Sequence, residues 1–384
     1  MKFPKGFLFG SATSAHQIEG GQRNDWSEWE KKAGRVADGS DSAIACDSWN
    51  KWREDIALLK KTNQNAYRFS IEWSRIEPEE GRFSDKAIAH YREILLELKK
   101  QGIAPAVTLF HFTLPLWLSR IGGFANKKSV KYFARFAEKM AHEFGQIVDL
   151  WITINEPQAY LLSGYILGVY CPGKKDIFEA YFKVRNNLNS AHIKAYQAMK
   201  PLASGPIGIG QHLLALQPLA PYFLNKIWVR ITHFFTTHIF VQPIIKYVDF
   251  IGINYYMKFK LQFWHPRVHT VAKLLNDYGW GINQEGLYQV IMESARWKKP
   301  IYITENGVAD AQDQYRIPFI KQAFQNIDKA IKDGADVRGY FHWSLLDNFE
   351  WSGGYTMKFG LFTRDRLPRP SAKFYAEQIK KYSS

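Results

Sequence analysis

The feature that most constrains the fold is an alternation. Short apolar runs are followed by longer amphipathic stretches, eight times over, in one unbroken chain of 384 residues. The runs lie at 7–10, 66–70, 103–109, 150–155, 206–211, 250–255, 301–305 and 337–345. Several are β-branched or aromatic without strict alternation, as strands buried on both faces should be. Helical patterns follow at 47–61, 85–102, 129–144, 180–199, 284–297 and 316–334; Asp47 reads as an N-cap, and Gly102 as a helix stop. No Ser/Gly-rich linker divides the chain. Eight β-then-α units predict one α/β domain over 1–384, a (β/α)8 barrel. The rival doubly wound sheet lacks its signature, since no Gly-x-Gly-x-x-Gly follows the first strand.

A barrel places its chemistry at the C-terminal ends of its strands. The polar and aromatic residues there are Arg68, His111, Asn155 with Glu156, Asn254, Tyr256, Glu305 and Trp343. TINEP (153–157) and ITENG (303–307) each put a carboxylate just past a buried run. Two carboxylates facing across a barrel mouth are what glycoside hydrolysis needs. Taken singly, Glu156 also reads as a helix N-terminal acid before Pro157. Glu305 also reads as a turn residue before Asn306-Gly307.

Composition narrows the partners. Aromatics make up 16% of the chain, more than a core alone needs, and suit flat ligands such as sugars. The net charge of +15 suits nucleic acid, an anionic membrane surface or solubility alone. No nucleic-acid motif accompanies it, so that partner is set aside. Cys46 and Cys171 cannot make a disulfide framework, which favours a reducing compartment. The first ten residues, MKFPKGFLFG, hold no signal-peptide core, and no run approaches a membrane span. A cytoplasmic protein is therefore expected. The eleven His are scattered, so neither metal nor cofactor is expected.

Six segments in order carry a resemblance. FLFGSATSAHQIEG (7–20), YRFSIEWSRI (67–76), TINEP, GINYY (252–256), ITENG and WSLLDNFEW (343–351) together closely resemble glycoside hydrolase family 1, the β-glucosidases and their relatives. The resemblance runs from about Phe3 to Phe374. It implies the (β/α)8 fold and hydrolysis of small β-glycosides with retention. It also implies Glu156 as general acid/base and Glu305 as nucleophile, with Arg68 and Tyr256 as donors that keep Glu305 ionised. Glu156 would then start protonated. Retention requires the two carboxyl groups to lie roughly 5–5.5 Å apart. Asn155, Gln17, His111 and Glu350 resemble contacts to the sugar hydroxyls. Trp343 and Trp351 resemble the wall and second hydroxyl donor of that subsite, with Asn254 a further polar member and Phe359 a supporting ring. Trp280 resembles the aromatic of the aglycone subsite. Because Glu350 is present, a non-phosphorylated glucoside is implied, with β-galactosides and β-fucosides as further candidates. Transglycosylation by the same residues, or an inactive carbohydrate-binding barrel, are the alternatives; the intact acid pair speaks against the second.

Three departures stand out. His16 replaces the usual Tyr, and Phe112 stands where Trp is frequent. The chain is also short for the family: the acids are 305 − 156 = 149 positions apart. The missing residues are placed mainly near 240–250, with a smaller loss after Glu305. Nearby, 180–248 holds no Asp or Glu but seven Lys or Arg. Its 225–248 portion is either a fifth barrel helix packed on the sheet, or an oligomer or membrane-surface contact, or the most mobile part of the barrel. In the second case the lost loop leaves Trp228, Phe234, Phe235 and Phe240 uncovered.

Overall fold

The computed structural model describes residues 3–263 and 269–383. The expected single unit 1–384 also takes in 1–2, 264–268 and 384, which lie outside the described residues. Eight parallel strands are present: β1 (Leu8–Ala12), β2 (Ala66–Ser70), β3 (Ala104–Phe110), β4 (Leu150–Asn155), β5 (Ile207–His212), β6 (Phe250–Asn254), β7 (Ile301–Asn306) and β8 (Val337–Trp343). They close a barrel in the order β1-β8-β7-β6-β5-β4-β3-β2. Each expected run is a strand. The last stops two residues early because the Ser344 backbone bonds to Phe359 and Leu361 instead of a barrel neighbour.

The principal helices are α1 (Ser48–Lys61), α2 (Asp85–Lys100), α3 (Lys128–Phe144), α4 (Arg185–Met199), α5 (Phe223–His233), α6 (Glu285–Ala295), α7 (Arg316–Lys332) and α8 (Pro370–Ser383). α2 shows why they form. Ala87, Ile88, Tyr91, Ile94, Leu95 and Leu98 recur at helical spacing, and all are buried against the sheet. Each fully buried Ile or Leu contributes roughly 1.5–3 kcal/mol. Ser84 caps the start by accepting from the Ala87 N–H at 3.2 Å. Gly102, at φ +71°, adopts the left-handed turn that ends the helix. Asp47 does not cap α1 as expected. It sits at the N-cap position with φ 55°, and its carboxylate accepts from the Asn50 amide at 2.7 Å instead.

Two apolar clusters result. One lies between sheet and helices. The other fills the barrel with Ala12, Ala66, Ala106, Leu150, Ile152, Phe250 and Phe341, closed at the top by Trp343 and Phe359. Both cysteines are buried and unpaired. Among the described residues, no helix is long and apolar enough to cross a membrane.

α5 departs from the pattern. Of its eleven residues only Asn225 is buried. Phe223, Leu224, Trp228 and Ile231 are exposed, as are Phe234 and Phe235 in the π-helical turn that follows. The packed fifth helix therefore forms only in part: residues 223–235 lie mostly outward, while Thr237, Ile239, Val241 and Ile244 are buried. Phe240, expected to be uncovered, is 1% exposed and packs into the core. Beside α5, strand Ala215–Pro218 pairs parallel with Lys258–Leu261, which pairs antiparallel with His269–Thr270. This small sheet continues from the ends of β5 and β6.

Candidate active site

Glu156 and Glu305 owe their positions to local backbone features. Glu156 follows β4 directly, with φ 45° and ψ 63°, and Pro157 opens a short helix behind it. A non-glycine residue held there carries roughly 1–3 kcal/mol of strain. Glu156 occupies the N-cap position but makes no side-chain cap. Its carboxylate turns instead to the barrel mouth, accepting from the Asn254 amide at 2.8 Å and facing His212 Nδ1 at 3.5 Å. Glu305 lies within β7, where a register shift against β6 between Ile303 and Glu305 re-aims the strand end. Both one-residue structural explanations, helix-start acid and turn residue, are thereby replaced.

The surrounding network is dense. Arg68, fully buried on β2, donates from Nη1 to Glu305 Oε1 at 2.6 Å and from Nη2 to Asn155 Oδ1 at 2.7 Å. The Tyr256 hydroxyl donates to the other Glu305 oxygen at 2.7 Å. Removing Arg68 would leave a buried carboxylate unpaired, at a cost of roughly 3–5 kcal/mol. Asn254 bridges Asn155 and Glu156 with its amide, while Thr304 donates to its carbonyl at 2.6 Å. The Asn155 amide contacts His111 Nε2 at 3.1 Å. Burial, with Arg68 nearby, holds His111 well below the usual histidine range, so the ring is neutral. Gly210 makes room for this cluster: a Cβ there would sit 3.1 Å from Asn155 Oδ1.

One cavity of about 540 Å³ contains both carboxylates. Its sugar-sized end is lined by His111, Asn155, Glu350, Trp343, Trp351 and Phe359. The Trp343 indole donates to Glu350 at 3.0 Å. Tyr256 and Trp280 also line the cavity, and Trp280 stacks on Tyr278 at 4.4 Å. Gln17, Asn254 and Arg68 join these residues by hydrogen bonds or charge. Gln17 accepts from Ser14 and donates to Asn348, and it lies near enough to Glu350 to lower the pKa of that carboxyl. The two substitutions fit the wall as well. His16 stacks on Trp351 at 5.4 Å and reaches Glu30, and Phe112 meets Trp351 edge-on at 5.3 Å.

The two carboxyl groups are electrostatically linked. Burial pushes the Glu305 carboxyl up to about 7, outweighing Arg68 and Tyr256, with the Glu156 charge adding to the rise. Glu156 is held below its ordinary value: burial raises it, but His212 and then Asn254 lower it further. Two like charges in one mouth titrate as a pair, so the site keeps one shared proton into the neutral range. Arg68 and Tyr256 both donate to the Glu305 oxygens, which favours its ionised form, and turnover needs the proton on Glu156.

His212 escaped the sequence reading. It ends β5, stacks on Tyr256 at 6.3 Å, and its own pKa is raised by Glu156 against the effect of burial. A polar residue closing a barrel strand was the available signal. Replacing His212 by Asn removes the cation that lowers Glu156, so the pair should hold its last proton longer. The alkaline limb of the kcat/KM profile should move to higher pH, as a pH series on both proteins would show. A shift to lower pH would contradict the assignment.

Burial also pushes Glu350 up to about 8, against the Trp343 hydrogen bond. The case against a 6-phosphate gains a second ground beside Glu350: a wall with no Lys or Arg among the described lining residues.

Known proteins share this arrangement. A family-wide sequence profile, glycosyl hydrolase family 1, matches residues 1–246 and 241–383. The two matches meet at 241–246, where the shortening was placed. β-Glucosidase A of Thermotoga maritima is 34% identical over 99% of this chain and 98% of its own length. β-Glucosidase A of Acetivibrio thermocellus is 32% identical over 98% of each. These alignments need 437 and 440 positions for 384 residues, so the chain is shorter than its relatives. The structure of the Thermotoga maritima β-glucosidase with galacto-hydroximolactam superposes with a TM-score of 0.94, at 33% identity, covering all of this chain and 99% of that one. The glucoimidazole complex of that enzyme gives 0.93. With barrel, carboxylate pair and full-length similarity in agreement, the chain belongs to glycosyl hydrolase family 1.

Proposed function

We propose that this chain, working as one catalytic unit, is a retaining β-glycosidase that hydrolyses small non-phosphorylated β-D-glucosides, with β-galactosides and β-fucosides as further substrates. The observation that carries the reading is the differently supported carboxylate pair in one cavity. Glu305 is gripped by Arg68 and Tyr256, while Glu156 is tied only to an amide and a histidine. In the first step the Glu305 carboxylate attacks the anomeric carbon, as Glu156 passes its proton to the departing glycosidic oxygen. The glycosyl ester removes the negative charge of Glu305, which lowers the pKa of Glu156. In the second step the Glu156 carboxylate takes a proton from water as that water attacks the anomeric carbon, and Glu305 leaves. An acceptor alcohol in place of water gives transglycosylation by the same steps. Asn155, His111, Glu350 and Trp351 supply the hydroxyl contacts, and Trp280 borders the leaving group.

A panel of 4-nitrophenyl β-glycosides, with the anomer first formed read by NMR, tests this. We expect β-glucose first, and faster release from the glucoside than from its 6-phosphate. An α-product, or preference for the phosphate, would overturn it.

The enzyme is placed in the cytoplasm, where Cys46 and Cys171 stay as thiols. The α5 face is assigned to contact with an anionic membrane surface. It exposes Trp228, Ile231, Phe234 and Phe235, with Lys226 and Arg230 exposed on the same helix. An eleven-residue helix with so little packing is marginal in water on its own. The protein should co-sediment with vesicles containing phosphatidylglycerol and not with phosphatidylcholine alone. A mass-doubled particle in light scattering, with no vesicle binding, would assign the face to a second copy instead.

A further inference from the structure

The cavity holding the two carboxylates has two unlike arms. The polar arm is described above. The other runs from Glu156 and Tyr256 toward α5 and the small sheet, and its wall includes Leu162, Ile166, Leu214, Leu216, Phe235 and Phe259. Apart from the glutamates and His212, no described lining residue carries a charge. Two of the polar side chains there are spent, while Ser163, Thr232 and Tyr181 leave a few hydroxyls. Gln158 is bonded to Gln211 and to the His212 backbone, and Thr236 donates to the Thr232 carbonyl at 2.9 Å. A sugar leaving group would bring several hydroxyls here and find few partners, at roughly 1–3 kcal/mol for each one left unpaired.

The mouth of this arm is apolar as well. Leu162, Leu167 and Phe235 each line the cavity and are also 44%, 50% and 48% exposed. Phe235 contacts Tyr181 at 6.0 Å and Phe234 at 5.4 Å. An apolar path thus continues from the leaving-group side of the carboxylates to the outer surface. A compact aglycone would not reach its end; a flexible hydrocarbon chain would follow it throughout.

We propose that this arm is a hydrocarbon channel, and that the preferred substrates are β-glucosides of long-chain aliphatic alcohols rather than β-linked oligosaccharides. The proposal rests on the glycosidase reading above. The chemistry is the same whether the amphiphile arrives as a monomer or from a bilayer.

The test is kcat/KM for n-alkyl β-D-glucosides from ethyl to octyl, all as monomers, beside cellobiose and 4-nitrophenyl β-glucoside. Primary alcohols beyond ethanol leave with nearly equal ease, so the series reads binding of the chain. Each methylene entering the channel should raise kcat/KM about fourfold, from the transfer of a CH₂ out of water. Octyl glucoside should surpass cellobiose. The Ile166→Asn and Phe259→Ser variants should each lower the octyl-to-ethyl ratio, a ratio unaffected by how much of the variant is folded. Turnover of hexadecyl glucoside embedded in vesicles would identify a bilayer source, and turnover of the soluble series alone a free one. A flat series with the nitrophenyl glucoside still cleaved would overturn the channel and leave the glycosidase intact. No cleavage of any glucoside would overturn both.

Discussion

Glu305→Gly should lower kcat on an activated aryl β-glucoside by on the order of 10⁵-fold, the scale seen when a covalent nucleophile is removed. The loss follows from the geometry. Arg68 and Tyr256 are both directed at the Glu305 oxygens, and no other carboxylate shares those donors. Without Glu305 the anomeric carbon meets no attacking group, while Glu156 and the sugar contacts remain. Azide can enter the vacated space and attack in its place, which restores turnover and yields the α-glycosyl azide. Rates with and without azide, with the product anomer determined, check this. Removing Glu305 also leaves the buried Arg68 without its ion-pair partner, so the variant should be less stable. Rescue by azide separates chemistry from folding, because an unfolded chain would not respond.

Glu156→Ala should behave differently. A proton to the leaving oxygen matters when the leaving alcohol is a poor one and matters little for nitrophenolate. We expect a loss of about 10²–10⁴-fold with alkyl glucosides, and a far smaller loss in glycosyl-enzyme formation from the dinitrophenyl glucoside. Hydrolysis of the intermediate should then become limiting, because no base activates the water. A series of aryl glucosides of graded leaving-group acidity measures the contrast. Equal losses across the series would mean that Glu156 is not the proton donor.

Much of the fold was legible in the sequence because parallel barrel strands are buried on both faces. Runs such as LWITIN and IYITEN, continuous rather than alternating, could belong only to such strands, and they form β4 and β7. The site was legible for a related reason. A polar residue closing an apolar run, as Asn155, Asn254 and Glu305 do, is costly unless it has work at the mouth. The misses have physical causes too. Asp47 has the right residue type for a cap, but its left-handed backbone turns the carboxylate toward Asn50. Gln17 and Asn254 also bond across distant strands, to Asn348 and Asn155, which the sequence could not show. His212 went unread because its role depends on Glu156 at 3.5 Å, a neighbour from another strand. α5 was the hardest to place. Its apolar residues match a packed helix in spacing, and only the surrounding fold reveals that most of them face outward.

The central claim is that Glu305 forms a covalent bond to the sugar, and one measurement addresses it directly. Incubation with 2,4-dinitrophenyl 2-deoxy-2-fluoro-β-D-glucoside slows both steps but retains a leaving group good enough for the first. The account predicts one fluoroglucosyl unit per chain, released on addition of an acceptor alcohol, and located by peptide mass spectrometry on Glu305 within ITENG. An unlabelled protein that still hydrolyses glucosides, or a label carried by Glu156, would contradict it.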